Sequence, residues 1–175
     1  MRYSERITTM QSSPIRKLAH IASSAKAKGI KIYHLNIGQP DIKTPKVFFE
    51  AVKNFNNEVL EYAVSPGLPE LISSLQQYYT TYNMDFESDE ILVTNGGSEA
   101  LLFALMATCD PKDNILVPEP FYSNYNGFSQ SINVNITPIT TKAEEGFHLP
   151  SKEKIQSLIT SKTRAILISN PGNPT

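Results

Sequence analysis

Up to Tyr82, apolar residues recur mostly at spacings of three and four, the period of a helix with one packed face. Ser12 and Ser13 ahead of Pro14 predict a helix start. Ile15, Leu18, Ala19 and Ala22 then share one face, and Gly29 predicts the end. Lys31 to Ile37 reads as a short strand, broken by Gly38-Gln39-Pro40-Asp41. A second helix is predicted from Pro45, with Phe48, Phe49, Val52 and Phe55 as its apolar side. The turn Ser65-Pro66-Gly67-Leu68-Pro69 leads into a third, carrying Leu71, Ile72, Leu75, Tyr79 and Tyr82. Beyond Tyr82 the pattern alternates. Strands are predicted at Glu90–Thr94, Asn114–Val117, Asn133–Ile139 and Thr163–Ser169. Helices are predicted at Glu99–Thr108, Ser123–Gln130 and Ser151–Thr160, with an irregular surface excursion from Thr140 to Pro150.

Such alternation predicts an α/β layer structure with a largely parallel sheet. The 175 residues suffice to bury a real core. Sixteen basic against 17 acidic residues leave no basic excess that would favour nucleic acid or an anionic membrane as partner. No apolar run is long enough to span a bilayer, and the first ten residues lack the apolar core of a secretory signal. Cys109 stands alone, so a reducing, cytoplasmic setting is expected. Cys109 itself reads as a small buried hydrophobe. His20, His34 and His148 lack metal-ligand spacing, so no metal site is expected.

In open α/β sheets, ligands bind beyond the carboxyl ends of the strands. Three segments fall at such ends. Asn95-Gly96-Gly97-Ser98 precedes a helix whose unpaired N–H groups and positive dipole end suit a phosphate. It matches neither the mononucleotide loop ending in Gly-Lys-Ser/Thr nor the Gly-x-Gly-x-x-Gly dinucleotide turn. Pro118 to Tyr125 offers aromatic rings: Phe121 and Tyr125 read as core, whereas Tyr122 suits either packing or stacking on a flat heterocycle. Asn170-Pro171-Gly172-Asn173-Pro174-Thr175 holds its asparagines in a rigid frame that can aim an amide at a ligand oxygen. Each also has a plain reading, as turn or packing. That one crevice beyond the strand ends would gather all three is what carries weight.

Taken in order, these segments resemble the class I/II aminotransferases, the fold-type I enzymes that use pyridoxal 5′-phosphate. The resemblance runs from about Ser13 to Thr175. It rests on Asn36-Ile37-Gly38-Gln39-Pro40-Asp41, on Tyr62 with Gly67 and Leu71, on Thr94 to Leu101, on Pro118 to Tyr125, and on Asn170 to Thr175. It implies a three-layer fold with a mostly parallel sheet flanked by helices. Residues 1–43 would form an N-terminal arm and part of a small domain, and residues 44–175 the first part of a large cofactor-binding domain. It implies that Gly96, Gly97 and Ser98 hold the cofactor phosphate, that Tyr122 lies over the pyridine ring, and that Asn173 donates to the ring's phenolic oxygen. Gly38 and Asn173 would border the substrate. Tyr62 would reach the phosphate of a second subunit, because family sites are shared across a homodimer. The reaction implied moves an amino group between an amino acid and a 2-oxo acid.

The family's catalytic lysine has no counterpart among the lysines here; Ser161-Lys162 precedes a strand and reads as a surface pair. The resemblance places that lysine, the aspartate facing the ring nitrogen and the main carboxylate-binding arginine after Thr175. An N-terminal fragment, inactive alone and with an exposed apolar face and sheet edge, is therefore expected. A lyase or synthase of the same fold, and a non-catalytic module binding a phosphate-bearing ligand, are the alternatives.

Overall fold

In the computed structural model, which describes residues 2–10, 17–35, 38 and 40–175, the alternating half of the chain builds a three-stranded sheet. Its strands are β1 (Asn114–Glu119), β2 (Asn135–Thr140) and β3 (Thr163–Ile166), all parallel, in the order β2-β1-β3. The helices are α1 (Glu5–Thr9), α2 (Ala19–Ala27), α3 (Lys46–Lys53), α4 (Pro69–Thr80), α5 (Gly97–Thr108), α6 (Asn124–Ser131) and α7 (Lys152–Leu158). The chain divides into two compact units, Met1–Ile30 with Asn95–Thr175, and Lys31–Thr94.

The sheet's connections dictate its layers. The step from β1 to β2 runs through α6, and the step from β2 to β3 returns across β1 through α7. Two right-handed crossovers made in opposite directions put their helices on opposite faces. Side chains alternate accordingly. Ile115 and Val117 form a buried cluster with Leu105 of α5, Tyr125 of α6 and Val134. Leu116, paired with Thr137, lies on the other face and is fully buried. The central strand is thus apolar on both sides, as a parallel strand covered by helices requires.

At the amino end of the sheet, Asp113 is 2% exposed and accepts hydrogen bonds from Arg164 Nε at 2.9 Å and from the Asp110 N–H at 3.0 Å. This pair ties the entry of β1 to β3. Removing one partner strands the other, and a stranded buried carboxylate costs more than a stranded, half-exposed guanidinium. Arg164→Ala is therefore expected to lower stability by about 2–4 kcal/mol, and more than Asp113→Ala does, as read from urea-unfolding midpoints.

α1 was not foreseen. Its five residues are too few to form a stable helix alone. It is fastened to α6 instead: Arg6 Nη1 donates to the Ser131 carbonyl at 2.9 Å, and Gln130 Nε2 donates to Thr9 Oγ1 at 3.2 Å. The predicted start of the next helix, Ser12 to Ile15, lies outside the described residues. Its end at Gly29 is observed, in the left-handed region at φ +79°.

In the Lys31–Thr94 unit, α4 starts at Pro69 as predicted and buries Ile72. Tyr79 meets Phe86 edge-on at 5.3 Å. Tyr78 and Tyr82 are exposed rather than packed into a core, and the hydrogen bond between their hydroxyls pushes the Tyr78 phenol up from its usual range. The apolar side of α3 has the expected period, yet Phe48, Phe49 and Val52, with Phe55 just beyond, are all more than half exposed.

Two predicted strands are not formed. Lys31 to Leu35 and Ile91 to Thr94 have no ladder, and Asn36 and Ile37 lie outside the described residues. A strand is a pairing, and an apolar alternation supplies a face but no neighbour. Val93 instead donates its N–H to the Pro66 carbonyl at 2.8 Å. Cys109 is half-buried against the core cluster rather than fully buried. Among the described residues, no helix is long and apolar enough to cross a membrane, and no group of histidines, cysteines and carboxylates has metal-binding geometry.

Candidate functional site

α5 opens two residues earlier than predicted, at Gly97, with Gly96 as the cap residue before it. Gly96 sits at φ +82°, a conformation that favours glycine. Apart from its adjoining residues and the helix's own backbone, no heavy atom lies within 4 Å of where a Cβ on Gly96 or Gly97 would stand, so each has open space beside it. The N–H groups of Gly97 and Ser98, in the first helical turn, have no acceptor within the helix. With the exposed Ser98 they place donors at a helix start, an arrangement suited to a phosphate. Glu99 completes the turn. Its carboxylate reaches back along the helix and accepts the Asn95 N–H at 2.6 Å, closing a ring around the two glycines. The sequence signal for this was present: a glutamate in the first turn of a helix is a known capping residue.

The carboxyl ends of β1 and β3 carry the other two segments. Pro118, Pro120 and Phe121 share with Leu167, Asn170 and Asn173 the wall of a cavity of about 490 Å³. The structure thus brings the aromatic segment and the asparagine segment together. Gly96, Gly97, Ser98 and Tyr122 lie outside that cavity's lining. Both Asn-Pro bonds are cis, as is Glu119–Pro120. At Gly172 the chain folds back so closely that a Cβ would collide with the Thr175 carbonyl. Thr140 Oγ1 donates to Glu119 Oε1 at 2.8 Å, bridging the ends of β1 and β2.

Tyr122 is half-buried at the entrance to α6. Its ring meets Tyr125 edge-on, with centroids 5.5 Å apart, and Phe121 stacks on Tyr125 at 6.1 Å. Phe121 and Tyr125 are therefore packing residues, as expected. The Tyr122 hydroxyl accepts from Asn124 Nδ2 at 2.6 Å, a contact that sequence reasoning did not anticipate. Gly38 and Tyr62 belong to the other compact unit, and both are exposed. Of the Asn36 to Asp41 motif, Asn36, Ile37 and Gln39 lie outside the described residues.

Lys162 is exposed and sits at the amino end of the sheet, where its carbonyl accepts the Asn114 N–H at 2.9 Å. It faces away from the carboxyl-end crevice. Lys142, nearer that crevice, is exposed and paired with Glu145 at 2.9 Å.

A parallel sheet with helices on both faces, an exposed helix head after a Gly-Gly turn and an aromatic ring beside the strand exits define an α/β protein whose helix head suits a phosphate. Comparison with known proteins makes this specific. The profile of the family "Aminotransferase class I and II" matches residues 30–175. An aspartate aminotransferase of Thermotoga maritima is 33% identical over 167 residues, covering 93% of this chain and 44% of its own length. An asparagine–oxo-acid transaminase of Streptococcus mutans is 30% identical over 175 residues, 98% of this chain and 44% of its own. The crystal structure of the Rhizobium meliloti aspartate aminotransferase superposes with a TM-score of 0.91 at 29% identity, covering all of this chain and 44% of that one. The chain belongs to the class I and II aminotransferase family. Its fold is that of the fold-type I enzymes, and members of the family depend on pyridoxal 5′-phosphate. The chain spans about 44% of the length of these relatives.

Proposed function

We propose that the protein serves amino-group transfer between an amino acid and a 2-oxo acid, and that this chain supplies the cofactor-holding part of the site. The open head of α5 is the observation that carries the assignment. Gly96 and Gly97 leave room for a phosphate, and the first-turn N–H groups with Ser98 point donors at it. When bound, pyridoxal 5′-phosphate supplies the electron sink that stabilises charge on the substrate carbon.

Tyr122 covers the cofactor ring with an aromatic face. The Asn173 amide donates to the ring's phenolic oxygen, and with Gly38 it borders the substrate. Tyr62 is fully exposed, at 105% of its reference area, which suits a residue that reaches the cofactor phosphate of a second subunit in a homodimer. In this assignment residues 1–43 are arm and small-domain chain, and 44–175 belong to the large domain. The compact units follow contact density and cut the chain elsewhere, at 30/31 and 94/95. A cytoplasmic setting accords with the lone thiol.

The test is cofactor titration of the protein and two variants. Tyr122→Ala is expected to weaken pyridoxal 5′-phosphate binding by about tenfold, the order of an aromatic contact in a partly buried site. Asn173→Ala is expected to displace the pH titration of the bound cofactor's visible absorbance. Unchanged affinity in the first and an unchanged titration in the second would reject the assignment.

A further inference from the structure

We propose that Asn124 is a positioning residue that locks Tyr122 in place before the cofactor arrives. The proposal rests on the cofactor assignment above and adds a residue to it. Positions 122 and 124 would not face each other within a helix, where neighbours lie three or four apart. Their contact exists because Tyr122 lies just outside α6 while Asn124 is its first residue. The Asn124 amide then reaches back to the phenol and donates from Nδ2 at 2.6 Å.

The ring is held at two points. Tyr125, itself buried in the core cluster, meets it at an interplanar angle of 89°, and Asn124 fixes its hydroxyl. A tyrosine on a loop is otherwise free to turn about two torsions, and a ligand that stacks on it must freeze them. Freezing them in advance removes that cost from binding, which is worth about two- to tenfold in affinity. Because the phenol oxygen accepts from Asn124, its own proton stays available to donate elsewhere.

The experiment is a double-mutant cycle on the protein as its source produces it. Dissociation constants for pyridoxal 5′-phosphate are measured by titration, together with the visible circular dichroism of the bound cofactor, for wild type, Asn124→Ala, Tyr122→Phe and the double variant. Each single change is expected to weaken binding by about two- to tenfold and to reduce the cofactor's circular dichroism. The double variant is expected to be no worse than either single, because both remove one bond. Additive losses would overturn the proposal, and so would an Asn124→Ala protein with wild-type affinity and dichroism. Tyr122→Phe removes only the hydroxyl oxygen and leaves α6 untouched. It keeps the test decisive should Asn124→Ala fail to fold: wild-type affinity in Tyr122→Phe alone then overturns it. Indifference of binding to Tyr122→Ala overturns the cofactor assignment as well, whereas loss in Tyr122→Ala with none in Asn124→Ala or Tyr122→Phe overturns this inference alone.

Discussion

Replacing Gly67 with alanine is expected to lower the stability of the Lys31–Thr94 unit by about 2–4 kcal/mol, from backbone strain and overpacking together. Gly67 is buried, and its φ of +121° lies where an L side chain is strained. An added Cβ would stand 2.5 Å from Val93 Cγ2 and 2.6 Å from Val93 Cβ. Neither atom is the end of a flexible side chain. The Val93 backbone is also tied to the same turn through the Pro66 carbonyl, so retreat would break that bond. The chain has no tryptophan, so tyrosine fluorescence during urea unfolding is the natural readout. Trimming the obstacle in a Gly67→Ala/Val93→Ala protein should recover part of the loss, because the clash is relieved while the torsional strain stays. An unchanged urea midpoint in Gly67→Ala would mean that the turn does not cross Val93 in solution.

Ile115→Ala is expected to cost about 2–5 kcal/mol, at the upper end if the cavity does not collapse. Ile115 has no exposed surface, and it sits on the central strand within the cluster formed by Leu105, Val117, Tyr125 and Val134. Those neighbours come from a strand, two helices and a turn, so no single side chain can relax into the space. The same cluster holds Tyr125, against which Tyr122 rests. Loosening the core beneath Tyr125 should therefore also weaken cofactor binding, although Ile115 itself is sealed from any ligand. Equilibrium unfolding and cofactor titration on the same preparation check both parts. A stability loss below about 1 kcal/mol would show that the cluster is less tightly packed than described.

The sequence made the alternating half legible because its elements bury one another. Ile115 and Val117 alternate with Leu116, a pattern that follows from a strand covered on two faces, whereas the helix before them is apolar almost all round yet buries only Leu105 and leaves Phe103 and Met106 exposed. Ser151 was readable as a helix start, and its hydroxyl does accept the Lys154 N–H, at 3.3 Å. The misses have one physical origin. Periodicity names the apolar side of an element without naming what lies against it. Phe48, Phe49 and Val52 kept their period and remain exposed, and Ile91 to Thr94 kept their alternation without forming a ladder. At the site, the Gly-Gly turn was visible as a turn before a helix, a pattern that by itself reads more often as a plain turn. The Glu99 contact had a sequence signal that was not used, a glutamate in the first turn of a helix, whereas the Asn124 contact depends on a side chain folding back outside the helix spacing.

The clasp between α1 and α6 carries a consequence for synthesis. Arg6 leaves the ribosome long before the carbonyl it binds, which lies 125 positions later. At translation rates of about 5–20 residues per second, that interval is about 6–25 s. Throughout it, a five-residue helix has nothing to hold its shape. The segment around Arg6 is thus without its partners until Ser131 has been made. Ser131 and Gln130 then fix its place through Arg6 and Thr9 while its side chains stay exposed.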